Sequence, residues 1–264
     1  MQGMTRVPAG ADRPAEQPGS ASPSPSPQEP TPGRPVLRRA EVARMIDHTL
    51  LAPAATDEEV LALCAQATRL GVGAVCVAPT HVYLAAASIR RGDRDERTPT
   101  AAVATVVGFP HGNHLTVIKA EEARRAVADG ATEVDMVIDI ANAMDENWQA
   151  IETEIIEVRL SVPPHVILKV ILETALLPDE SIIAACRAAE AGGAEFVKTS
   201  TGFHPAGGAS VRAVRAMARA VGGRLGIKAS GGIRTADQAT AMIDAGATRL
   251  GLSASEDVLA GFPV

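Results

Sequence analysis

Short runs of β-branched and aliphatic residues alternate with longer amphipathic stretches along most of the chain. Eight short runs have the length and composition of buried strands: Arg44–Thr49, Ala74–Ala78, Ala102–Val107, Glu133–Ile138, Val166–Leu172, Phe196–Thr199, Leu225–Ala229 and Arg249–Leu252. Eight longer stretches have helical periodicity: Asp57–Leu70, His81–Arg90, Thr116–Asp129, Asn147–Leu160, Asp179–Ala191, Ser210–Val221, Ala236–Ala245 and Ser255–Phe262. Eight such units in roughly 230 residues predict an α/β fold, a (β/α)8 TIM barrel.

An open, doubly wound sheet is the alternative fold for the same order of elements. That fold binds dinucleotides through a glycine-rich turn after its first strand, whereas the first strand here runs through Asp47-His48-Thr49-Leu50. Two signals support the predicted helix ends. Thr56 and Glu59 have the spacing of a capping box. Glycines follow four helices, where a left-handed C-terminal residue is common: Gly71, Gly130, Gly192 and Gly246.

The first 35 residues differ in composition from the rest of the chain. Pro, Ser, Gly and Ala dominate residues 1–35, and almost nothing large and apolar is available to bury. Such a segment cannot offset the entropy of ordering, so we expect a disordered extension. No apolar core follows the initial methionine, so a secretory signal is not predicted. The sequence therefore predicts one folded domain over residues 36–264.

Composition also bears on the class of partner. The net charge is −6 and no basic face appears, which argues against nucleic-acid binding. No apolar stretch approaches the roughly 18 residues that span a membrane. The three cysteines, Cys64, Cys76 and Cys186, lie in apolar patterns without metal-ligand spacing. These features are typical of reduced thiols in a cytoplasmic protein, and we expect its partners to be small molecules.

Lysine is rare and unusually placed. The chain has four lysines against twenty-one arginines, and Lys169, Lys198 and Lys228 all lie in predicted strands, 29 and 30 residues apart. Arginine stays protonated in proteins, whereas a buried lysine can lose its proton and become a nucleophilic amine. Lysine at these positions favours imine chemistry over structural ion pairs.

Further polar residues lie in the predicted strands. Because side chains alternate along a strand, Glu133 and Asp135 share one face of strand four. Strand one contributes Asp47 and Thr49. Burial of an unpaired charge is costly, and a barrel gathers the carboxyl ends of its strands on one face, where active sites lie. We therefore expect these residues and the three lysines to form one pocket.

This set of residues can support an imine reaction. Two lysines in a dry pocket repel each other as ammonium ions, so the pKa of one is lowered. The free amine attacks a carbonyl, Asp135 relays protons, and no metal or other cofactor is required. Spacing alone leaves open which lysine forms the imine.

The predicted loops after strands seven and eight are rich in glycine. Gly231-Gly232-Ile233-Arg234 and Gly251-Leu252-Ser253-Ala254 occupy the usual phosphate-binding position of this fold. We interpret both segments as openings into helices, whose amino-terminal N–H groups attract anions. The sequence therefore predicts a phosphorylated substrate.

Seven stretches of the chain, in order, resemble the deoxyribose-phosphate aldolase family: Ile46-Asp47-His48-Thr49-Leu50-Leu51, Val75-Cys76-Val77-Ala78-Pro79, Val107-Gly108-Phe109-Pro110-His111-Gly112, Glu133-Val134-Asp135-Met136-Val137, Leu168-Lys169-Val170-Ile171-Leu172-Glu173-Thr174, Phe196-Val197-Lys198-Thr199-Ser200-Thr201-Gly202-Phe203 and Gly226-Ile227-Lys228-Ala229-Ser230-Gly231-Gly232-Ile233-Arg234. The resemblance covers nearly the whole chain after residue 35. Such a set in order is far more specific than any one stretch.

The resemblance implies a class I aldolase that reversibly cleaves 2-deoxy-D-ribose 5-phosphate to acetaldehyde and D-glyceraldehyde 3-phosphate. It assigns the imine to Lys198, a pKa-lowering role to Lys228 and proton relay to Asp135. It places three residues near the sugar hydroxyls and the catalytic groups: Asp47, Thr49 and Lys169. It places six around the substrate and its phosphate: Thr201, Gly202, Gly231, Gly232, Gly251 and Ser253. Family analogy also implies a homodimer.

Two other functions are compatible with parts of the sequence. A metal-dependent aldolase or isomerase would use the histidines, but His111 and His114 lie in a predicted turn without evident ligand spacing. A non-catalytic barrel that binds phosphosugars would account for the glycine-rich loops. Such a barrel has no use for an uncharged lysine, so the lysine pattern favours the aldolase.

Overall fold

The computed structural model describes residues 37–92 and 100–264. The extension predicted over residues 1–35 lies outside these residues. Within them, eight parallel strands close into a barrel in chain order: β1 (Ile46–Leu50), β2 (Ala74–Val77), β3 (Ala102–Val107), β4 (Glu133–Val137), β5 (Ile167–Ile171), β6 (Phe196–Lys198), β7 (Gly226–Ser230) and β8 (Arg249–Leu252). Since β8 pairs with β1, the TIM barrel is confirmed and the open sheet is excluded.

Helices alternate with the strands along the described chain: α1 (Arg39–Arg44), α2 (Asp57–Leu70), α3 (Val82–Gly92), α4 (Thr116–Ala128), α5 (Ile140–Met144), α6 (Trp148–Ser161), α7 (Asp179–Ala191), α8 (Val211–Val221), α9 (Ala236–Ala245) and α10 (Ser255–Ala260). Every predicted helix and strand is present, and each boundary lies within about two residues of its prediction. Strand-like and helix-like hydrophobic patterns follow each other along the sequence, and these patterns were enough to locate the elements of this barrel.

Two short helices were not predicted. Arg44, placed in strand one from the sequence, is instead the last residue of α1. The side chain of Asp139 begins α5 by accepting hydrogen bonds from the N–H groups of Ala141 and Asn142, at 2.9 and 3.3 Å. Helices of five or six residues contain less than two turns, so their hydrophobic periodicity is too short to recognise.

The helix ends follow the sequence with one exception. Thr56 accepts a hydrogen bond from the N–H of Glu59, which completes the predicted capping box. Positive φ angles are found at three of the four predicted glycines: Gly71, Gly130 and Gly246. The prediction is wrong for Gly192, which has φ −72°, while Gly193 takes the left-handed conformation at +83°. A Cβ atom on Gly192 would lie 2.5 Å from Ile155 Cγ2, so close helix packing explains that glycine.

The barrel has an aliphatic layer outside its strands and charged groups inside. Outward residues such as Val134, Val170 and Leu250 join the large buried cluster between strands and helices. Inside the barrel, a second apolar cluster is limited to four residues of β2 and β3: Ala74, Cys76, Ala104 and Val106. Other strands contribute buried charged residues instead: Asp47, Glu133, Asp135, Lys169, Lys198 and Lys228. No helix within the described ranges has the length and apolarity needed to cross a membrane.

Candidate active site

Strand register brings four of the predicted site residues to adjacent positions inside the barrel. Asp135 of β4 pairs with Lys169 of β5, and Lys198 of β6 pairs with Lys228 of β7. All four side chains are buried. Because neighbouring strands are parallel and side chains alternate between the two faces, these residues, which are far apart in sequence, meet in the barrel interior.

The carboxylate of Asp135 accepts hydrogen bonds from all three lysines. Lys169 Nζ donates to Oδ1 at 2.7 Å, whereas Lys198 Nζ and Lys228 Nζ donate to Oδ2 at 2.9 and 2.7 Å. Burial would raise the pKa of this carboxyl group, but the three lysines hold it well below its usual value. Asp135 is therefore ionised at neutral pH and lies next to every candidate nucleophile.

The ion pairs extend beyond these four residues. Asp47 contacts Lys228, and its other oxygen lies 3.2 Å from Arg249 Nη1. Glu133 lies 2.6 Å from Lys169 Nζ and 3.0 Å from Arg249 Nη2. We call the whole set the ion cluster, and its members are Asp47, Glu133, Asp135, Lys169, Lys198, Lys228 and Arg249.

Lys198 differs from the other two lysines of the ion cluster in its pKa. Burial lowers the pKa of Lys198, Asp135 raises it, and Lys228 lowers it further. Burial also opposes the charge of Lys228 and Lys169, but the carboxylates of Asp135 and Asp47 outweigh it and raise the pKa of both. Lys198 is thus the amine most easily deprotonated, with burial as the main cause and repulsion by Lys228 as a smaller one.

A cavity of about 420 Å³ opens at the carboxyl ends of β1, β6, β7 and β8. Nine of the residues predicted from the sequence line it: Thr49, Lys198, Thr201, Gly202, Lys228, Gly231, Gly232, Gly251 and Ser253. Asp47, Asp135 and Lys169 are not among the lining residues, and each is 0% exposed. Asp47 and Lys169 therefore contact the catalytic groups from below and do not reach the cavity surface.

The glycine-rich loops form one wall of this cavity, with tight backbone contacts. Gly231 and Gly232 have φ angles of +89° and +83°, which glycine adopts at little cost. A Cβ atom on Gly231 would lie 3.1 Å from the Cα of Gly202. The segment from Gly231 to Arg234 leads into α9, which begins at Ala236 as predicted and is capped by Thr235, but the glycine pair itself lies ahead of the cap. The pair forms a turn before the helix.

Glu173 has a positioning role that the sequence did not indicate. It adopts a left-handed conformation after β5, with φ +53°, and its side chain is buried. Its carboxylate accepts a hydrogen bond from Thr201 Oγ1 at 2.6 Å and a longer one from the Thr201 N–H at 3.3 Å. These bonds fix the loop after β6, including Phe203, whose ring meets Phe109 edge-to-face with centroids 5.2 Å apart.

The sequence also gave no separate role to Arg234. Arg234 is exposed and is one of the residues that line the cavity. Guanidinium groups bind phosphate in a bidentate way. A basic residue three positions after a glycine turn could have been noticed as a candidate anion ligand.

The histidines do not form a metal centre in the described part of the chain. His48 is buried, and its Nδ1 and Nε2 lie 2.8 and 3.0 Å from Ser255 Oγ and Gln66 Oε1. Burial lowers its pKa, so it joins α10 and α2 to β1 as a neutral ring. Within residues 37–92 and 100–264, no group of three or more His, Cys, Asp or Glu side chains could hold a metal ion.

The sequence matches the family model of DeoC/LacD family aldolases over residues 41–261. The chain belongs to this aldolase family. A deoxyribose-phosphate aldolase of Frankia alni is 86% identical over 227 residues, which are 86% of this chain and 100% of the relative. A deoxyribose-phosphate aldolase of Nocardia farcinica is 57% identical over 225 residues, which cover 85% of this chain and 96% of the relative.

Solved structures of aldolases are similar as well. The tetrameric deoxyribose phosphate aldolase from Aeropyrum pernix superposes with a TM-score of 0.76 and 30% sequence identity, over 84% of this chain and 91% of that one. The aldolase QR15 superposes with a TM-score of 0.75 and 36% sequence identity, over 83% of this chain and 94% of that one. The family resemblance drawn from seven short stretches is therefore confirmed.

Proposed function

We propose that this chain is a class I deoxyribose-phosphate aldolase that cleaves 2-deoxy-D-ribose 5-phosphate reversibly through an imine on Lys198. The observation that carries the proposal is the position of Lys198, whose amine lines the cavity, contacts Asp135 and has a lowered pKa. The names of the relatives that are 86% and 57% identical support the substrate.

The proposed reaction begins at the uncharged Nζ of Lys198. This amine attacks the aldehyde carbon of the open-chain sugar, and loss of water gives a protonated imine. Asp135, 2.9 Å from Nζ, accepts and returns the protons that carbinolamine formation and dehydration require. Burial and, as a smaller cause, the neighbouring ammonium of Lys228 lower the pKa of Lys198 and favour its free amine between turnovers.

Carbon–carbon cleavage follows from the positive charge of the imine. Asp135, through a water, takes the proton of the sugar hydroxyl at C3. The bond between C2 and C3 then breaks, and its electron pair enters the iminium group to give an enamine. D-Glyceraldehyde 3-phosphate leaves with the former hydroxyl oxygen as its aldehyde oxygen. Protonation of the enamine carbon and addition of water then release acetaldehyde and regenerate the amine.

The phosphate of the substrate fits the part of the cavity that the loops after β7 and β8 line. Gly231 and Gly232 bring backbone close to the open space, and Ser253 and Arg234 add a hydroxyl and a cation. Backbone N–H groups and guanidinium together bind anions. In this arrangement, the loops after β7 and β8 hold the phosphate while the aldehyde carbon points to Lys198.

Two finer features belong to the same proposal. The three cysteines within the described residues are free and buried, which supports a reducing compartment such as the cytoplasm. The Aeropyrum pernix relative is tetrameric, which supports self-association in general, and a homodimer remains our prediction for this chain.

Trapping with acetaldehyde and borohydride tests the proposal, because borohydride reduces the imine to a stable ethyl group on the reacting lysine. Peptide mass spectrometry of the wild-type chain should find that group on Lys198, and the Lys198→Arg variant should lack both the adduct and turnover, since arginine cannot form an imine. An ethyl group on Lys169 or Lys228 would overturn the assignment. Cleavage without any adduct, especially if a chelator abolishes it, would favour the metal-dependent alternative.

A further inference from the structure

We propose that Glu133 and Arg249, at the end of the barrel opposite the cavity, are positioning residues that set the protonation state of Lys198 through the charge balance of the ion cluster. This inference rests on the proposed function, because it concerns the amine that forms the imine. Neither residue lines the cavity, so a direct role in substrate binding is not part of it.

Both residues belong to the amino-terminal end of the barrel. Glu133 is the first residue of β4 and Arg249 the first of β8, whereas Lys198 is the last residue of β6. The strands are parallel, so their first residues lie at the end away from the cavity. The guanidinium of Arg249 lies over the ring of Phe196, 5.7 Å from its centre, and the Arg249 side chain is 14% exposed.

An unbroken series of ion pairs joins the two ends of the barrel. Each successive pair is at 3.2 Å or less. In order, the members are Lys198, Asp135, Lys169, Glu133, Arg249, Asp47 and Lys228, and Lys228 returns to Asp135 at 2.7 Å. A change of charge at Arg249 or Glu133 is therefore transmitted through buried groups, where water screens it little.

The number of charges in this series decides the state of Lys198. Three carboxylates face three cations that stay protonated, because the carboxylates raise the pKa of Lys169, Lys228 and Arg249 despite burial. The ion cluster is neutral when Lys198 is uncharged. A proton on Lys198 adds one uncompensated charge in a buried region, which is costly.

The other groups that face Lys198 do not alter this count. Asp135, Lys228, Lys169 and Asp47 are already members of the ion cluster. Cys76 of β2 also faces Lys198, but burial raises the pKa of its thiol, so it stays uncharged at neutral pH. The residues of β3 beside it are apolar, Ala104 and Val106. The protonation of Lys198 thus follows the net charge of the ion cluster.

Imine formation at Lys198 slows at low pH, where the amine is protonated, and this decline is the acid limb of its pH profile. Two single substitutions should move that limb in opposite directions. Arg249→Met removes a cation, so Lys198 holds its proton more tightly and the limb moves to higher pH. Glu133→Gln removes a carboxylate, so the limb moves to lower pH. We take the charges of Glu133 and Arg249 to lie about 10 Å from Lys198 Nζ. At an effective dielectric constant of about 20, a unit charge at that distance shifts a pKa by about one unit. Shifts of that order are expected, and the double variant should return near the wild-type value.

The readout is the rate at which Lys198 gains an ethyl group from acetaldehyde, followed across pH by borohydride quenching and peptide mass spectrometry. Glu154→Gln is the matched control, because it removes a buried carboxylate that pairs with Lys119 outside the ion cluster. The Arg249→Lys variant keeps the positive charge that Arg249→Met removes, so its acid limb should lie at the wild-type pH. Each single variant tests the inference separately, so misfolding of one leaves the other decisive.

Opposite shifts that cancel in the double variant support the inference. Equal shifts in both single variants, or limbs that coincide with that of Glu154→Gln, would overturn it and leave Glu133 and Arg249 as structural residues. Failure of the proposed function is distinguishable, because wild-type protein would then carry no ethyl group on Lys198 at any pH.

Discussion

Replacement of Lys228 by methionine tests the electrostatic basis of catalysis most directly. Methionine keeps most of the side-chain volume but removes the ammonium that lies beside Lys198 and lines the cavity. The loss of repulsion, and the release of Asp47 and Asp135 from their partner, both favour a proton on Lys198. We expect the variant to need higher pH for imine formation.

The size of the effect follows from shared contacts. Lys198 Nζ and Lys228 Nζ bond the same oxygen of Asp135, at 2.9 and 2.7 Å. The two nitrogens are therefore less than about 6 Å apart, and at an effective dielectric constant of about 20 two unit charges at that distance repel by about 3 kcal/mol. Since one pKa unit corresponds to about 1.4 kcal/mol, the pKa of Lys198 should rise by about 2 units.

The assay is kcat/KM for cleavage of deoxyribose 5-phosphate as a function of pH. Below the raised pKa the share of free amine falls by about 100-fold, and kcat/KM should recover about tenfold per pH unit as the pH rises. The Lys228→Arg variant keeps the positive charge and is the matched control, because the acid limb of its kcat/KM profile should lie at the wild-type pH. Circular dichroism must show a folded barrel, because removal of one partner of a buried ion pair costs about 3–5 kcal/mol.

A Lys228→Met profile with the wild-type acid limb and a uniform loss of rate would refute this reasoning. Lys228 would then act on the substrate itself and not on the protonation of Lys198. The same conclusion would follow if the ethylation of Lys198 by acetaldehyde kept its wild-type pH dependence.

Two further substitutions probe neighbouring parts of the site. Asp135→Asn should lower kcat by about 10²–10⁴-fold through loss of proton relay, and it should reduce the free energy of unfolding at neutral pH by about 3–5 kcal/mol. Because the pKa of Asp135 is lowered on folding, its stabilising contribution is complete above about pH 4 and is lost as the pH falls further. The urea unfolding curves of the wild type and the Asp135→Asn variant should therefore converge in acid, and curves that stay apart would contradict this. Glu173→Gln weakens the bonds to Thr201, so we expect a loss of about 1.5–3 kcal/mol in stability and a higher KM with unchanged ethylation of Lys198. An unchanged KM with slower ethylation would place the role of Glu173 at the amine.

The sequence was most informative where one local rule decides the outcome. The change of hydrophobic period located all eight strands and the long helices, and alternation on β4 placed Asp135 on the face opposite Val134. The capping box at Thr56 could be predicted because both partners lie within four residues. The helix-ending glycine after α7 could not, because the choice between Gly192 and Gly193 depends on contact with Ile155, a residue of another helix.

Long-range pairing limited what could be predicted about the site. Glu133 and Arg249 are 116 residues apart and meet only across the closed barrel. The strand pattern grouped Glu133 with the lysines, but nothing around Arg249 indicated that it joins them. The sequence likewise did not distinguish the lysines that line the cavity from Lys169, which lies below it. The carboxylate of Glu173 bonds Thr201 in the next loop, and no pattern around Glu173 indicates that partner.

The closure of the barrel has a consequence for the chain while it is being made. The ion cluster takes side chains from β1, β4, β5, β6, β7 and β8, so it is complete only after the last strand has paired with the first. In an unfolded chain each lysine is a hydrated ammonium with a pKa of about 10.4. In a nascent or partly unfolded polypeptide these lysines therefore react slowly with aldehydes at neutral pH. Lys198 becomes the favoured nucleophile among them only in the finished barrel.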